Sequence, residues 1–420
     1  MPNSTSIDYL LINQRQQYAS KTFWLGLIVY TIGSTLYRAE VLTYRYSESI
    51  QILGLLFLLP SALYLIHFKF ESKYLRFLFF IYIVWLMLVA VRGFKFNSEF
   101  VSIMLFNDYM GVLPYFAPLL LLFPKNIFFY KRIFSSIIIL GVFSLLFDVV
   151  FVRSLIGRDI DNEFKVQLVE ELVRHYALPM TFLLLVYSYQ TTTTKLFALF
   201  ITFLSVFFAI IRARRGMLFT LITPLMFAGI IYFLQSKKKI GLYMISIIVV
   251  AFVTMIGLQF FSESRMFSSI KSRANEDTRS GVENCFYDDM KTTDWIVGRG
   301  INGQYYCPIL GNKVESDYRS LIETDYLNII LKGGLISLIL FLLIIIPAAV
   351  KGIFYSKNNL SKAAGFWILM WTLSLYPTTV VSFTINYLLL WVCVGICYSP
   401  TIRNVPEDMT KIYLSKFSIS

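Results

Sequence analysis

Residues 331–350 read LKGGLISLILFLLIIIPAAV, and Lys332 is the only charged side chain in this stretch. About twenty apolar residues in an α-helix span the hydrocarbon core of a bilayer. Backbone polar groups that enter lipid must be hydrogen-bonded within their own segment, and a helix achieves this. The stretch therefore predicts a transmembrane helix.

Apolar runs of similar length recur along the 420-residue chain. The chain is 57% hydrophobic and only 15% charged, whereas soluble domains carry about 25% charged residues. We therefore predict an all-α polytopic membrane protein with about twelve transmembrane helices and no broken-helix pair. The predicted spans are 22–38, 49–67, 75–93, 108–123, 133–152, 176–190, 195–211, 216–234, 240–260, 331–350, 362–380 and 383–400.

Lysine clusters follow the second, fourth, sixth, eighth and tenth predicted spans. Loops rich in positive residues remain in the cytoplasm, so both termini are expected there. The N-terminal segment has no signal-peptide pattern. The predicted organisation is a cytoplasmic N-terminus (1–21), spans one to nine (22–260), a large periplasmic loop between spans nine and ten (261–330), spans ten to twelve (331–400) and a cytoplasmic C-terminus (401–420).

Several classes of function are disfavoured by the composition. The net charge of +13 is explained by the positive-inside bias, so no nucleic-acid partner is expected. Four cysteines and two histidines show no metal-ligand spacing, so no metal site is predicted. No P-loop or GxGxxG motif is present, and no cofactor is expected.

The loops on the predicted outer side carry arginine where the cytoplasmic loops carry lysine. A guanidinium group binds phosphate through two parallel hydrogen bonds, which an ammonium group cannot do. Headgroup contacts and salt bridges remain an alternative explanation for any single arginine. The outer basic residues are Arg38, Arg45, Arg92, Lys95, Arg153, Arg158, Lys165, Arg174, Arg212, Arg214 and Arg215.

The densest of these clusters is the segment 211–218, IRARRGML. Arg212, Arg214 and Arg215 at a membrane edge are costly unless they meet anions or water. Gly216 permits close approach of a backbone or ligand. A helix that starts here would direct its positive end outward. The combination suits a pyrophosphate group, although a simple stop-transfer cluster remains open.

The predicted outer loop contains the segment 279–301, RSGVENCFYDDMKTTDWIVGRGI. Its aromatic and charged side chains suit a saccharide, since rings stack on sugar faces and charged groups bind hydroxyls. An ordinary solvated loop would have a similar composition. Cys285 and Cys307 share this loop, and an oxidising compartment allows a disulfide. The sequence leaves both a bridge and two free thiols open.

A third segment, 323–336, reads ETDYLNIILKGGLI and leads into the tenth span. Glu323 and Asp325 lie just outside the apolar run. Carboxylates at this position either cap the helix or act as a general base at the membrane surface.

In order and spacing, the three segments resemble the O-antigen polymerase and O-antigen ligase superfamily. Arg215-Gly216 resembles the motif that opens a helix at the periplasmic face in that family. Arg279, Trp295 and the turn 298–300 resemble the motifs of its periplasmic loop. Gly334 matches the glycine of its third motif, H-[N/S/Q]-x9-G-x-x-[G/T/Y], and Ser337 stands at the last position, but Glu323-Thr324 replaces the initial His-Asn pair.

The resemblance implies a metal-independent glycosyltransferase in the bacterial inner membrane. Its substrate would be an oligosaccharide on undecaprenyl pyrophosphate. Membrane lipids are a second expected partner, and a chain-length regulator is a further candidate. The implied roles are pyrophosphate binding by Arg212, Arg214, Arg215 and Arg299, phosphate or acceptor binding by Arg279, proton acceptance by Glu323 or Asp325, and saccharide binding by Trp295 and Tyr326.

Three functions remain open at this stage. A polymerase extends lipid-linked repeat units, a ligase transfers the finished polymer to lipid A-core, and a flippase or transporter moves the substrate. The ligase pattern requires a histidine at the position of Glu323, and no histidine follows His175. The sequence therefore favours an O-antigen polymerase, with His175 expected to be structural.

Overall fold

The computed structural model describes residues 14–156, 163–212, 214–235, 278–308 and 317–415. The predicted ninth span and residues 261–277 of the predicted loop lie outside this part. The α-helices before the loop are α1 (Gln14–Arg38), α2 (Tyr44–Leu65), α3 (Lys73–Val91), α4 (Ser98–Phe106), α5 (Leu113–Phe116), α6 (Ile127–Val150), α7 (Val152–Ile156), α8 (Glu163–Leu172), α9 (Leu178–Leu185), α10 (Thr192–Ile211) and α11 (Arg215–Gln235), among the residues that the structure describes. After the first part of the loop follow α12 (Thr278–Asp289), α13 (Thr292–Val297), α14 (Asp325–Phe354), α15 (Asn359–Ser374), α16 (Ile385–Tyr398), α17 (Pro400–Arg403) and α18 (Glu407–Ser415).

Six of the described helices are long and apolar enough to cross a membrane, and α16 is a shorter apolar helix. Their exposed side chains are largely hydrophobic, as on α2, α3 and α10. A surface of this kind is stable against lipid and not against water. The prediction of a helical, membrane-embedded chain is therefore confirmed at this level. The six helices are α2, α3, α6, α10, α11 and α14.

Helices α1 and α2 pack closely through glycine. A Cβ atom on Gly26 would lie 2.7 Å from the carbonyl oxygen of Gly54. Small residues let helix backbones approach in membranes, where packing and not hydrophobicity drives association. This contact holds the middle of α1, the helix that ends at Arg38, against α2.

Two of the predicted spans are not continuous helices. The span 108–123 contains only α5 and a 3₁₀ segment, Ala117–Leu122. The span 176–190 starts in a π segment, Val173–Ala177, continues as α9 and ends in a 3₁₀ turn. Prolines at the first turns of these pieces interrupt helical hydrogen bonding. Both broken regions border the site described below.

Helix α16 forms the centre of the bundle. All of its side chains are buried, and a helix that is apolar on every side belongs in an interior. Trp391 packs against Phe341 of α14, and Tyr387 packs against Trp371 of α15. These contacts hold α14, α15 and α16 together beneath the outer surface.

The described part of the predicted outer loop has a folded core of its own. Strands β1 (Tyr305–Tyr306) and β2 (Tyr318–Arg319) pair antiparallel. Cys285 and Cys307 form a disulfide with a Cα–Cα distance of 5.2 Å, which decides the question that the sequence left open. Phe286 and the disulfide pack with apolar side chains at the start of α14. The loop is therefore fixed to the helix that follows it.

Helix α14 begins at Asp325, six residues before the predicted start of the tenth span at residue 331. It is interrupted at Gly334. The backbone of Gly334 has φ 67° and ψ −177°, a conformation essentially restricted to glycine. The break therefore lies inside the predicted span 331–350. The first half of α14 ends at Gly333, and a new helical segment begins just beyond.

The break leaves carbonyl groups of α14 without their helical hydrogen-bond partners. The predicted outer loop donates hydrogen bonds to them instead. The backbone N–H groups of Arg299 and Gly300 donate to the carbonyl oxygens of Leu331 and Lys332, at 2.7 and 2.8 Å. The indole N–H of Trp85 donates to the carbonyl oxygen of Gly333 at 3.1 Å. Non-helical backbone is tolerated at membrane depth where protein groups satisfy it.

Candidate functional site

A buried network of charges lies between α1, α8 and the chain before α5. Arg38 forms ion pairs with Asp108 and Glu171. The His175 ring nitrogens lie 3.2 Å from an oxygen of Asp108 and 3.0 Å from an oxygen of Glu171. Buried charges are tolerated when they are paired in this way. The network fixes the ends of three elements to one another.

Asp108, Glu171 and His175 also have the spacing of metal ligands, with their donor atoms within 4.8 Å of one another. Arg38 already provides positive charge to both carboxylates. A metal ion would have to displace this guanidinium group. We therefore assign the network a structural role, in keeping with the role expected for His175.

Arg174 lies beside this network and lines one of two cavities in this region. Its guanidinium carbon lies 4.5 Å from the centre of the Tyr109 ring, a cation–π contact. The nearest described carboxylate oxygen, from Glu171, is 3.9 Å away. Sequence analysis counted Arg174 among the outer arginines but did not select it, because its surroundings come from distant parts of the chain.

The smaller of two cavities in this region has an empty volume of about 360 Å³. Three buried polar atoms in its wall have no hydrogen-bond partner among the described residues: Trp371 Nε1, Thr384 Oγ1 and Asn386 Oδ1. Unpaired buried polar groups are rare and call for a partner. We call it the small cavity, and its polar lining consists of Arg174, Thr220, Thr378, Thr379, Thr384 and Asn386.

The arginine segment before α11 lies next to the small cavity. A Cβ atom on Gly216 would come within 2.8 Å of the carbonyl oxygen of Pro377, so glycine permits the close backbone approach expected from the sequence. Arg214 pairs with Glu170 at 2.5 Å and remains partly exposed. Arg215 is exposed at the first position of α11. Both guanidinium groups thus belong to this region.

Arg212 has different surroundings. Its side chain is fully buried and donates to the carbonyl oxygens of Ser154 and Leu155. These bonds hold the end of α7 against the end of α10. We therefore leave Arg212 out of the proposed pyrophosphate site.

The larger cavity has an empty volume of about 750 Å³, which includes open solvent. Its wall combines apolar side chains with a few polar groups, as binding sites for organic ligands do. We call it the large cavity, and its polar lining includes Tyr109, Tyr115, Asp325, Asn328, Lys332 and Tyr387.

Asp325 marks the partition between the two cavities. Its Oδ2 accepts hydrogen bonds from the backbone N–H groups of Val380 and Val381, at 2.9 and 2.6 Å. Val380 lines the small cavity and Val381 lines the large one. Asn328 donates to the other oxygen, Oδ1, at 3.3 Å. Arg174 lies within electrostatic range of the same carboxylate.

Glu323 lies on the protein surface, close to the arginine segment. Burial raises the pKa of the Glu170 carboxyl, the positive charge of Arg214 opposes the shift, and the negative charges of Glu171 and Glu323 add to it. The side chain of Glu323 is exposed, and it lines neither cavity. The structure thus separates the two acids that sequence analysis grouped together.

An aromatic surface extends from α14 over the loop. Trp295 stacks on Tyr287 with ring centres 6.0 Å apart and an interplanar angle of 6°. Tyr287 also lies close enough to Tyr326 to interact with its hydroxyl group. The two residues predicted to bind saccharide, Trp295 and Tyr326, are therefore joined through Tyr287, which sequence analysis did not select.

Arg299 is held within the loop. It donates to carboxylate oxygens of Asp289 and Asp294, at 2.5 and 2.9 Å, and to the carbonyl oxygen of Gln304 at 2.7 Å. Burial raises the pKa of Asp289, but the bond from Arg299 outweighs it and holds this pKa below its ordinary value. These contacts stabilise the turn at 298–300, so Arg299 is also left out of the proposed pyrophosphate site.

Arg279 lies in the first turn of α12. Its side chain lies outside the described part of the structure, and its predicted role stays a prediction.

Comparisons with protein-family models, with curated proteins and with solved structures find no match for this chain.

Proposed function

We propose that the protein is a polymerase of O-antigen or a related surface polysaccharide. The observation that supports this most directly is the pair of adjacent cavities on either side of Asp325 and the chain at 380–381. A polymerase must bind a donor pyrophosphate and an acceptor saccharide side by side. The small cavity has a guanidinium group and hydroxyl groups, and the large cavity has tyrosines and a carboxylate.

In this proposal, Arg174 and the neighbouring Arg214 and Arg215 bind the pyrophosphate of the donor lipid. The acceptor repeat unit occupies the large cavity, and its sugars extend over Trp295 and Tyr326. The whole chain would have about twelve spans in the inner membrane, with the loop in the periplasm and both termini in the cytoplasm.

The reaction is a displacement at the anomeric carbon of the donor glycan. The acceptor hydroxyl oxygen forms the new bond to this carbon, and the bond between the carbon and the pyrophosphate oxygen breaks. The bonding electrons leave with undecaprenyl pyrophosphate, whose developing charge the arginines stabilise. The hydroxyl proton passes to a carboxylate. Asp325 is the better placed acid, because it lines the acceptor cavity at the partition.

Two complementation experiments test the proposal. Expression in a polymerase-null strain of the same serotype should restore a ladder of polymer lengths on a lipopolysaccharide gel. Expression in a ligase-null strain should leave lipid A-core without polymer. Rescue of the ligase-null strain would contradict the assignment and favour a ligase.

A transporter of lipid-linked saccharide is the second candidate. The break in α14 at Gly334 and the buried network around Arg38 are features that transporters use at their substrate sites. Translocation of a fluorescent lipid-linked saccharide by the reconstituted protein, without any increase in its length, would favour this function.

A further inference from the structure

Lys332 is a cation in the wall of the large cavity. Its ammonium group donates to the carbonyl oxygen of Gly303 at 2.7 Å. An ammonium group has three N–H donors, and this is the only described hydrogen bond that the side chain makes. The bond fixes Nζ near the cavity and leaves donors for a ligand.

The described residues provide no counter-ion for Lys332. None of the ion pairs within 4.0 Å involves its Nζ atom. Asp325 lines the same cavity, but its oxygens are bound by the N–H groups of Val380 and Val381 and by the amide of Asn328. An unpaired cation in an apolar setting is unfavourable. An anionic group on the ligand would remove this cost.

The break in α14 adds positive potential at the same wall. Gly333 and Ser337 both line the large cavity, and the second helical segment of α14 begins between them, after Gly334. The start of a helix carries partial positive charge from its unpaired N–H groups. Lys332 and the start of this helical segment therefore both contribute positive electrostatic potential to the cavity.

We propose that Lys332 forms an oxyanion subsite for the saccharide substrate in the large cavity. The inference rests on the proposed function. A carboxylate on an acidic sugar of the acceptor and a phosphate of its lipid carrier share the required chemistry. The position of Lys332 favours the sugar carboxylate, because the guanidinium group of Arg174 lies at the small cavity instead.

Ligand-dependent thermal unfolding of the full-length protein in detergent tests the subsite without requiring catalysis. The probes are glucuronate, its neutral methyl ester and inorganic pyrophosphate. The variants are Lys332→Met, which removes the charge, and Lys332→Arg, which retains it. Lys351→Met is the matched control, because Lys351 lies at the opposite end of the same helix. Each variant is compared with its own ligand-free unfolding midpoint, so a general loss of stability does not affect the result.

Glucuronate should raise the midpoint of the wild type, of Lys332→Arg and of Lys351→Met, while the ester should have no effect. Lys332→Met should bind glucuronate about tenfold more weakly or worse, as expected when a charged hydrogen bond is lost. Its affinity for pyrophosphate should remain that of the wild type. Weaker pyrophosphate binding in Lys332→Met, without any glucuronate binding in the wild type, would support the subsite and identify the carrier phosphate as its ligand.

Two results would overturn the subsite. One is equal binding of both anions by the wild type and Lys332→Met. The other is no binding of glucuronate to the wild type together with pyrophosphate binding that does not depend on Lys332. These results differ from a failure of the proposed function. In that case the complementation experiments would fail while anion binding still depended on Lys332.

Discussion

Glu323 and Asp325 lie two positions apart, yet the fold gives their carboxylates different surroundings. Asp325 is buried at the partition between the two cavities, whereas Glu323 is exposed outside them. Sequence analysis could find both acids, because they precede an apolar run. It could not predict which of the two is buried, because Asp325 is bound by residues 380 and 381, more than fifty positions away.

We expect Asp325→Asn to reduce the rate of polymer formation by about 10² or more, which is typical for loss of a general base. The amide oxygen can still accept hydrogen bonds from Val380 and Val381, so the protein should accumulate normally. Glu323→Gln should reduce the same rate by less than about tenfold. Chain elongation in membranes, normalised to protein abundance, measures both effects.

Asp288→Asn is the control for this pair, because Asp288 is an exposed acid of the same loop. It should retain the wild-type rate. An inactive Glu323→Gln beside an active Asp325→Asn would move the proton acceptor to Glu323 and give Asp325 the role of fixing the chain at 380–381.

Arg174→Ala and Arg215→Ala should nearly abolish long polymer at normal protein abundance. Both remove a guanidinium group from the region of the small cavity. The lysine variants should retain part of the activity, since they keep the charge but lose bidentate binding. Gel analysis of the polymer ladder with an immunoblot of the protein measures this.

Arg45→Ala provides the comparison, because Arg45 is an exposed arginine in α2, away from both cavities. Its ladder should be that of the wild type. Full-length polymer from Arg174→Ala would remove Arg174 from the pyrophosphate site.

At the scale of elements, sequence analysis predicted least well whether each apolar run forms one continuous helix. Hydropathy identifies apolar runs, but it does not report whether their backbone is one helix. Pro114, Pro118 and Pro179 were signals for the two broken regions that could have been used. The break in α14 also had a local signal, the pair Gly333-Gly334, but the close approach of Gly334 to Ile296 and Val297 of the loop could not be predicted from it.

Gly334→Ala should destabilise the protein and lower its abundance. A side chain would impose strain of about 1–3 kcal/mol at this backbone conformation, and its Cβ atom would overlap the carbonyl oxygen of Ile296. Thermal unfolding in detergent should show a clear decrease in the midpoint. Gly229→Ala is the matched control, because Gly229 lies inside α11 with open space around its Cβ position.

The control variant should be neutral or slightly stabilising, since alanine favours a helix by about 1 kcal/mol over glycine. Equal midpoints for Gly334→Ala and the wild type would mean that α14 is continuous.

At the scale of the whole molecule, composition predicted the membrane class well, because a chain that is 57% hydrophobic must use lipid as part of its solvent. The candidate site was predicted only in part. Arg214, Arg215 and Asp325 lie beside the cavities, as the motifs suggested. Arg174 and Lys332 could not be selected, because only the assembled bundle brings them to a cavity wall.

Topology is testable at this scale. Alkaline phosphatase and green fluorescent protein fusions at Lys238 and at Thr292 should report opposite compartments. Lys238 lies in a predicted cytoplasmic lysine cluster, and Thr292 lies in the predicted periplasmic loop. Fusions that report the same compartment would contradict the predicted orientation.

The interruption of α14 has a consequence for how the protein is made. The ribosome completes residues 298–300 before residues 331–334, so the amide donors exist before the carbonyl groups that need them. If the loop has not yet folded, the first part of α14 ends with the carbonyl groups of Leu331 and Lys332 unpaired. Folding of the loop and completion of this helix are therefore coupled during biogenesis. A chain whose loop is delayed would present the membrane quality-control proteases with an unfinished helix.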